Sequence, residues 1–242
     1  MQAYGGLMSV TGEEGRPPVR VGVSIIDIGT GMWSVIGILA ALFERRQTAS
    51  GGIVDTSLYE TALSWMGTHI AEFSADRQDS RRYGSGAPQI APYEMFETAD
   101  GHLMVAAGND PLFVKLSAAL GFPQWSRDER FRTNQLRVEN RSLLRSMLQQ
   151  LFAAQQTAHW RGVLDQAGIP NAPLQSAAAV AADEQTAALG ILQPLPEVQL
   201  TAVGLPIRFD GCRPPLRRPA PSLGQHTAEL TSAHDAGGRA RT

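Results

Sequence analysis

Apolar positions in the first third of the chain fall into two blocks of different period. Residues 21–26 form a short β-branched apolar run closed by Asp27, which predicts the end of a strand. Ile28, Gly29, Thr30 and Gly31 then predict a tight turn. Residues 32–46 read as a helix apolar around most of its girth, with Arg45 and Arg46 in its last turn. A helix patterned that way is expected to be buried. A second helical pattern runs through Tyr59, Leu63, Met66 and Ile70. Residues 71–92 are polar, arginine-bearing and glycine-containing, and predict a linker with a mobile loop.

The texture changes at Pro92. Residues 93–98 alternate, Asp100 and Gly101 signal a hairpin turn, and residues 102–107 supply the return strand. Asn109, Asp110 and Pro111 offer a cap and a first-turn proline for a short helix that Gly121 stops. Leu143, Leu144, Met147, Leu148, Leu151 and Phe152 recur on one face of a helix over 141–153. Another over 157–167 carries Trp160, Val163 and Leu164 and stops at Gly168 and Pro170. Residues 199–209 pattern as strand again, before a Pro/Arg-rich surface run to 221. The expected organisation is a first domain at 1–75, a linker with a glycine loop at 76–91, a small α+β domain at 92–190, a returning segment at 191–230 and a flexible tail at 231–242.

With 242 residues, 43% apolar and 18% charged, the chain is long enough to bury a sizeable core. The 21 basic and 23 acidic residues nearly cancel, so no global field favours nucleic acid or an anionic membrane. A single cysteine, Cys212, excludes an internal disulfide and a thiolate metal cluster, and makes the cytoplasm the expected compartment. The longest apolar stretch, residues 31–43, falls short of the ~20 residues that span a bilayer. The N-terminus carries no apolar leader, so neither a membrane span nor secretion is expected.

Asp27 is the most informative position. A carboxylate at the mouth of an apolar helix, followed by Gly29 and Gly31, could act as a nucleophile beside helix-terminal donors. Asp is equally a favoured helix cap, and spacing alone leaves both readings open. The pair Gly29 and Gly31 lacks the third glycine of a dinucleotide fingerprint. Gly84, Ser85 and Gly86 could form a lid or a close backbone approach to a ligand, or an ordinary loop. The five histidines form no local pair that could seed a metal site, so no metal is expected. The arginines dense from Arg127 to Arg145, and Arg213, Arg217 and Arg218, could contact phosphates but are more commonly solvated faces or ion pairs.

Taken in order, the motifs resemble family III CoA-transferases, the group that includes formyl-CoA transferase, carnitine CoA-transferase and the α-methylacyl-CoA racemases. The resemblance rests on Gln2, Ala3, Tyr4, Gly5 and Gly6; Pro17 and Pro18; the segment from Val21 to Asp27; and Val54, Asp55, Thr56, Ser57 and Leu58. It continues through Ala91, Pro92 and Tyr93, Asn134 with Arg137, Gly168 to Pro170, Gly204 to Pro206, and Leu223 to Thr227. It implies an α/β fold: a partial Rossmann-like large domain at 1–75 holding the catalytic aspartate, joined to the smaller α+β domain. It also implies CoA transfer between an acyl-CoA and a small organic acid through an aspartyl anhydride and an aspartyl-CoA thioester.

The family aspartate corresponds to Asp27. Gly29, Gly31, Gly84, Ser85 and Gly86 fall where substrate or CoA would be met, with coenzyme A as substrate and no permanent cofactor. An acyl-CoA racemase of the same fold, or a catalytically incomplete dimerisation scaffold, are the alternatives. Family chains carry roughly a further domain upstream of the Gln2 motif and form homodimers whose subunits interlock, so interlocking is expected here only with that part supplied.

Overall fold

A computed structural model describes residues 1–237. The chain is mixed helix and sheet and falls into two compact units, residues 1–174 and a second beginning at Gln175.

The first unit opens with α1 (Leu7–Val10), followed by α2 (Ile25–Thr48), α3 (Leu58–Trp65) and α4 (Gly67–Asp76). No strand covers 21–26. The side-chain amide of Gln2 takes the place of a strand partner: its Nε2 donates to the Val21 carbonyl at 3.2 Å and its Oε1 accepts from the Val21 N–H at 2.8 Å. The predicted turn at Gly29 and Gly31 is likewise absent, because α2 begins at Ile25 and runs through both glycines. At Gly29 a packed face outweighs poor helix propensity. Gly29 lies against Trp65 and Thr61 so closely that a Cβ would sit 2.9 Å from Trp65 Cζ2, and at Gly37 one would sit 2.6 Å from Val54 Cγ1. Thr30 Oγ1 donates to Thr61 Oγ1 at 2.8 Å, and Ser34 and Thr56 hydroxyls pair at 2.7 Å.

The expectation that this helix is buried is also corrected. Only Ile26 and Gly29 of α2 are buried, while Ile28, Met32, Val35, Ile36, Leu39 and Phe43 are exposed. Because Ile25, Ile26 and Ile28 extend the helix beyond the apolar stretch read from sequence, its 24 residues are long and apolar enough to cross a membrane by length and composition. The core of this layer is small: Leu7, Ile26, Ala62 and Met66.

Residues 93–174 hold the larger core. β1 (Tyr93–Thr98) and β2 (Gly101–Ala106) form the predicted hairpin, in register Phe96 to Leu103, and β3 (Asn171–Pro173) adds antiparallel to β2. Five helical segments pack with the hairpin: α5 (Asp110–Ala119), a 3₁₀ turn (Pro123–Arg127), α6 (Asn134–Glu139), α7 (Arg141–Phe152) and α8 (Thr157–Gln166). Asn109 caps α5 through Oδ1, which accepts from the Leu112 N–H at 2.8 Å. Phe96, Leu103 and Val105 from the hairpin meet Phe113 and Leu116 of α5, Leu144, Leu148 and Phe152 of α7, and Trp160 and Leu164 of α8. Phe96 and Phe152 stack with centroids 4.9 Å apart.

The second unit contains α9 (Ala177–Ala182), α10 (Glu184–Leu189), the two-stranded sheet of β4 (Leu192–Pro194) and β5 (Thr201–Val203), and α11 (Thr227–Gly237). The strand expected over 199–209 is only three residues long. Beyond it Phe209 and Cys212 exchange backbone hydrogen bonds across Asp210 and Gly211, both at positive φ. Much of the segment expected to be a flexible tail is helix to Gly237, and residues 238–242 lie outside the described part.

Candidate active site

Asp27 occupies the first turn of α2, where the partial positive charge of the helix N-terminus is concentrated. Its side chain is exposed and contributes to the wall of an open cavity of about 400 Å³, lined also by Gln2, Met8, Arg20, Ile26 and Leu58. Two elements fix its position. The Gln2 amide pins the extended segment that leads into α2, and the Gly29 contact sets α2 against α3. At about 100° per residue, Asp27 lies about 200° around the helix from Gly29, on the side away from α3. Gly31 is four residues on, on the same face as Asp27, and a Cβ there would meet nothing within 4 Å. Side chains on a helix lean toward its N-terminus, so a larger residue at 31 would cover the turn that holds Asp27. The two glycines therefore differ: Gly29 permits helix packing, and Gly31 leaves the approach to the carboxylate open.

Gln2 and Arg20 were not singled out by sequence reasoning as site residues. Arg20 lines the same cavity as Asp27, and its Nη2 donates to the Gly22 carbonyl at 3.2 Å. Its signal in the sequence is only a charge among many, whereas Gln2 belongs to the opening motif.

Gly84, Ser85 and Gly86 form a separate feature. Gly84, at φ +62°, donates its N–H to the Gly12 carbonyl at 2.9 Å, and the Gly86 N–H donates to the Tyr83 carbonyl at 2.9 Å. Ser85 Oγ accepts from the Met95 N–H at 2.9 Å. Gly84 and Ser85 line a cavity of about 300 Å³ with Glu13, Arg82, Tyr83, Glu94, Arg141 and Arg145, and this cavity shares no lining residue with that of Asp27.

Of the dense arginines, Arg127, Arg130, Arg132 and Arg145 are exposed, with Arg130 and Arg145 in ion pairs, and Arg137 departs from a solvated face. Arg137 is fully buried: Nε donates to the Ala91 carbonyl at 2.7 Å, Nη1 to the Phe131 carbonyl at 2.9 Å and Nη2 to Asp110 at 2.9 Å, with Phe113 stacked on the guanidinium at 4.5 Å. Burial pushes its pKa below the ordinary arginine value, and Asp110 offsets part of that shift. Arg145 pairs with the buried carboxylate of Glu94, and Arg130 holds Asp128 well down, to about 2. Among the described residues, no group of three or more His, Cys, Asp or Glu side chains is placed to hold a metal ion.

The sequence profile of CoA-transferase family III matches residues 1–227. The succinyl-CoA:glutarate CoA-transferase of Mus musculus is 32% identical over 231 residues, a match covering 94% of this chain and 53% of that protein. The acetyl-CoA:oxalate CoA-transferase of Acetobacter aceti is 34% identical over 232 residues, covering 95% and 59%. The crystal structure of a CaiB/BaiF family protein from Brucella suis superposes with a TM-score of 0.81 at 34% identity, over 96% of this chain and 61% of that one. The chain thus spans just over half the length of the curated relatives it matches. With this fold, and with the profile matching from the Gln2 motif through Asp27 to Thr227, the chain belongs to CoA-transferase family III.

Proposed function

We propose that this chain carries the nucleophile and part of the acyl-CoA site of a CoA-transferase, with Asp27 as the attacking group. The supporting observation is the place of Asp27: exposed in the first turn of α2, in the wall of a cavity, with Gly31 leaving its face open.

In the proposed reaction an Asp27 carboxylate oxygen attacks the thioester carbonyl of an acyl-CoA. The C–S bond breaks, leaving a mixed anhydride on Asp27 and CoA thiolate. The thiolate attacks the aspartyl carbonyl of that anhydride, releasing the donor acid as carboxylate and forming an aspartyl-CoA thioester. The acceptor carboxylate attacks this thioester, giving a second anhydride and thiolate. Attack of the thiolate on the acceptor's acyl carbonyl forms the product acyl-CoA and restores Asp27. Charge and atoms balance at each step, and no redox partner is needed. Arg20 supplies a cation in the same cavity for a substrate carboxylate. Relatives named for succinate, glutarate and oxalate support short carboxylic acids as the exchanging class.

Intact mass of the chain after incubation with a panel of acyl-CoA thioesters, followed by hydroxylamine trapping and peptide mapping, tests the assignment. A hydroxylamine-sensitive adduct on Asp27 is expected, and it should vanish in Asp27→Asn with the circular dichroism spectrum unchanged. An adduct that persists in Asp27→Asn overturns it. Deuterium wash-in at the α-carbon without adduct formation would point instead to racemisation.

A further inference from the structure

Three arginines, Arg82, Arg141 and Arg145, reach the wall of the cavity of about 300 Å³ that Ser85 also lines. Each commits only part of its guanidinium to the protein. Arg82 donates Nε to the Glu13 carbonyl at 3.2 Å and Nη2 to the Arg16 carbonyl at 2.7 Å. Arg141 uses Nη2 alone, on the carbonyls of Ala87, Pro88 and Ile90. Arg145 uses Nη1 alone, on Glu94 and the Met95 carbonyl. A guanidinium carries one N–H on Nε and two on each Nη. Nη1 of Arg82, Nε and Nη1 of Arg141, and Nε and Nη2 of Arg145 therefore have no acceptor among the described residues. Ser85 Oγ accepts from the Met95 N–H and keeps its own proton to donate. Gly86 leaves one of these groups uncrowded: a Cβ there would come within 3.4 Å of Arg141 Nη1.

The carboxylates of the same wall do not cancel these donors. Glu94 is buried and already paired with Arg145. Glu13 and Glu14 are exposed, and neither forms an ion pair among the described residues. The three are not placed to hold a metal ion. Arg82 and Arg141 are half-buried, so their remaining N–H groups are partly withdrawn from water and gain from a charged acceptor. Arg141 and Ser142 begin α7, whose first turn holds no acidic residue to offset its positive end.

We propose that this cavity is a binding site for a phosphate-class oxyanion, held by the uncommitted N–H groups of Arg82, Arg141 and Arg145 and by the Ser85 and Ser142 hydroxyls. The donors outnumber what the two oxygens of a carboxylate accept, and a tetrahedral anion with three or more free oxygens matches them. The cavity shares no lining residue with that of Asp27, so the site stands whether or not Asp27 is the nucleophile.

Calorimetry and amide NMR on the full chain, titrated with pyrophosphate, inorganic phosphate and acetate at one ionic strength, test the site. Pyrophosphate should bind at least about tenfold tighter than acetate, shifting the amides of Ser85 and Ser142 and weakening as salt is added. Arg82→Gln should weaken it by about fivefold or more. The double variant Arg145→Gln with Glu94→Gln, which leaves no buried carboxylate unpaired, should do the same. Glu14→Gln should tighten binding about twofold, a gain that loss of folded protein cannot produce.

Adenosine 5′-diphosphate set against pyrophosphate separates the phosphate end of a nucleotide from the free anion as the source, and binding of either through these arginines supports the site. Pyrophosphate no tighter than acetate overturns the proposal. So do affinities unchanged in both arginine variants, and so do shifts centred on Gln2 and Asp27, which would place the anion in the other cavity.

Discussion

Two glycines two residues apart in α2 carry opposite demands. At Gly29 the neighbour is Trp65, and Gly29→Ala should cost about 1–3 kcal/mol in urea denaturation, because overpacking exceeds the gain in helix propensity. At Gly31 the space is open, so Gly31→Val should leave stability within about 0.5 kcal/mol yet slow adduct formation on Asp27 at least tenfold by covering the carboxylate. Mass spectrometry of the two variants separates these effects. Arg137 makes a third case. Arg137→Met removes the partners of two backbone carbonyls and of Asp110, and a loss of about 3 kcal/mol or more is expected in the same denaturation assay. The sequence marks Asp27 and the Asn134 and Arg137 pair as motif residues. It does not say that Arg137 is buried, because its acceptors lie at Ala91 and Phe131, in loops whose path no local pattern encodes.

Elements with one wet face were legible, and those whose surroundings lie far off in sequence were not. α7 repeats Leu144, Leu148 and Phe152 toward the core and is found within one residue of its predicted bounds. The hairpin forms where Asp100 and Gly101 signal it, one residue earlier than read: Ala99 and Asp100 make the turn and Gly101 already pairs with Thr98. α2 was misjudged at its start, since Gly29 and Gly31 look like a turn until Trp65 and Thr61 are known to pack there. Its exposed stripe of Met32, Ile36, Leu39 and Phe43 should bind a hydrophobic dye such as ANS, and Leu39→Lys with Phe43→Lys should lower the emission.

Element ends also set the acid response. Asp100 accepts from the Thr157 N–H at 2.7 Å and the Thr157 hydroxyl at 2.8 Å at the start of α8, which lowers its pKa. Asp128 is lowered to about 2 by Arg130. A carboxyl depressed in the folded state stabilises above its unfolded pKa, and that contribution is lost as pH falls through the folded value. The thermal midpoint should therefore drop as pH falls from about 4 toward 2, and less steeply in Asp100→Asn.

On the scale of residues 1–174 there are two cores of unequal size. The core around the hairpin, α5, α7 and α8 buries six large aromatic residues, Phe96, Phe113, Trp125, Phe131, Phe152 and Trp160, whereas the α1–α3 layer closes on Leu7, Ile26, Ala62 and Met66. Hydrogen exchange should find its slowest amides in β2, α7 and α8 and distinctly faster ones along α2. The opposite order would show that α2 is held by more than its few buried contacts. The nucleophile candidate belongs to the smaller core, while the glycine loop is tied through Arg141 to the larger one. Heat should part the two. On a slow temperature ramp the chain would stop forming the Asp27 adduct while a calorimeter still recorded most of its unfolding enthalpy to come, and prompt cooling would bring the reactivity back.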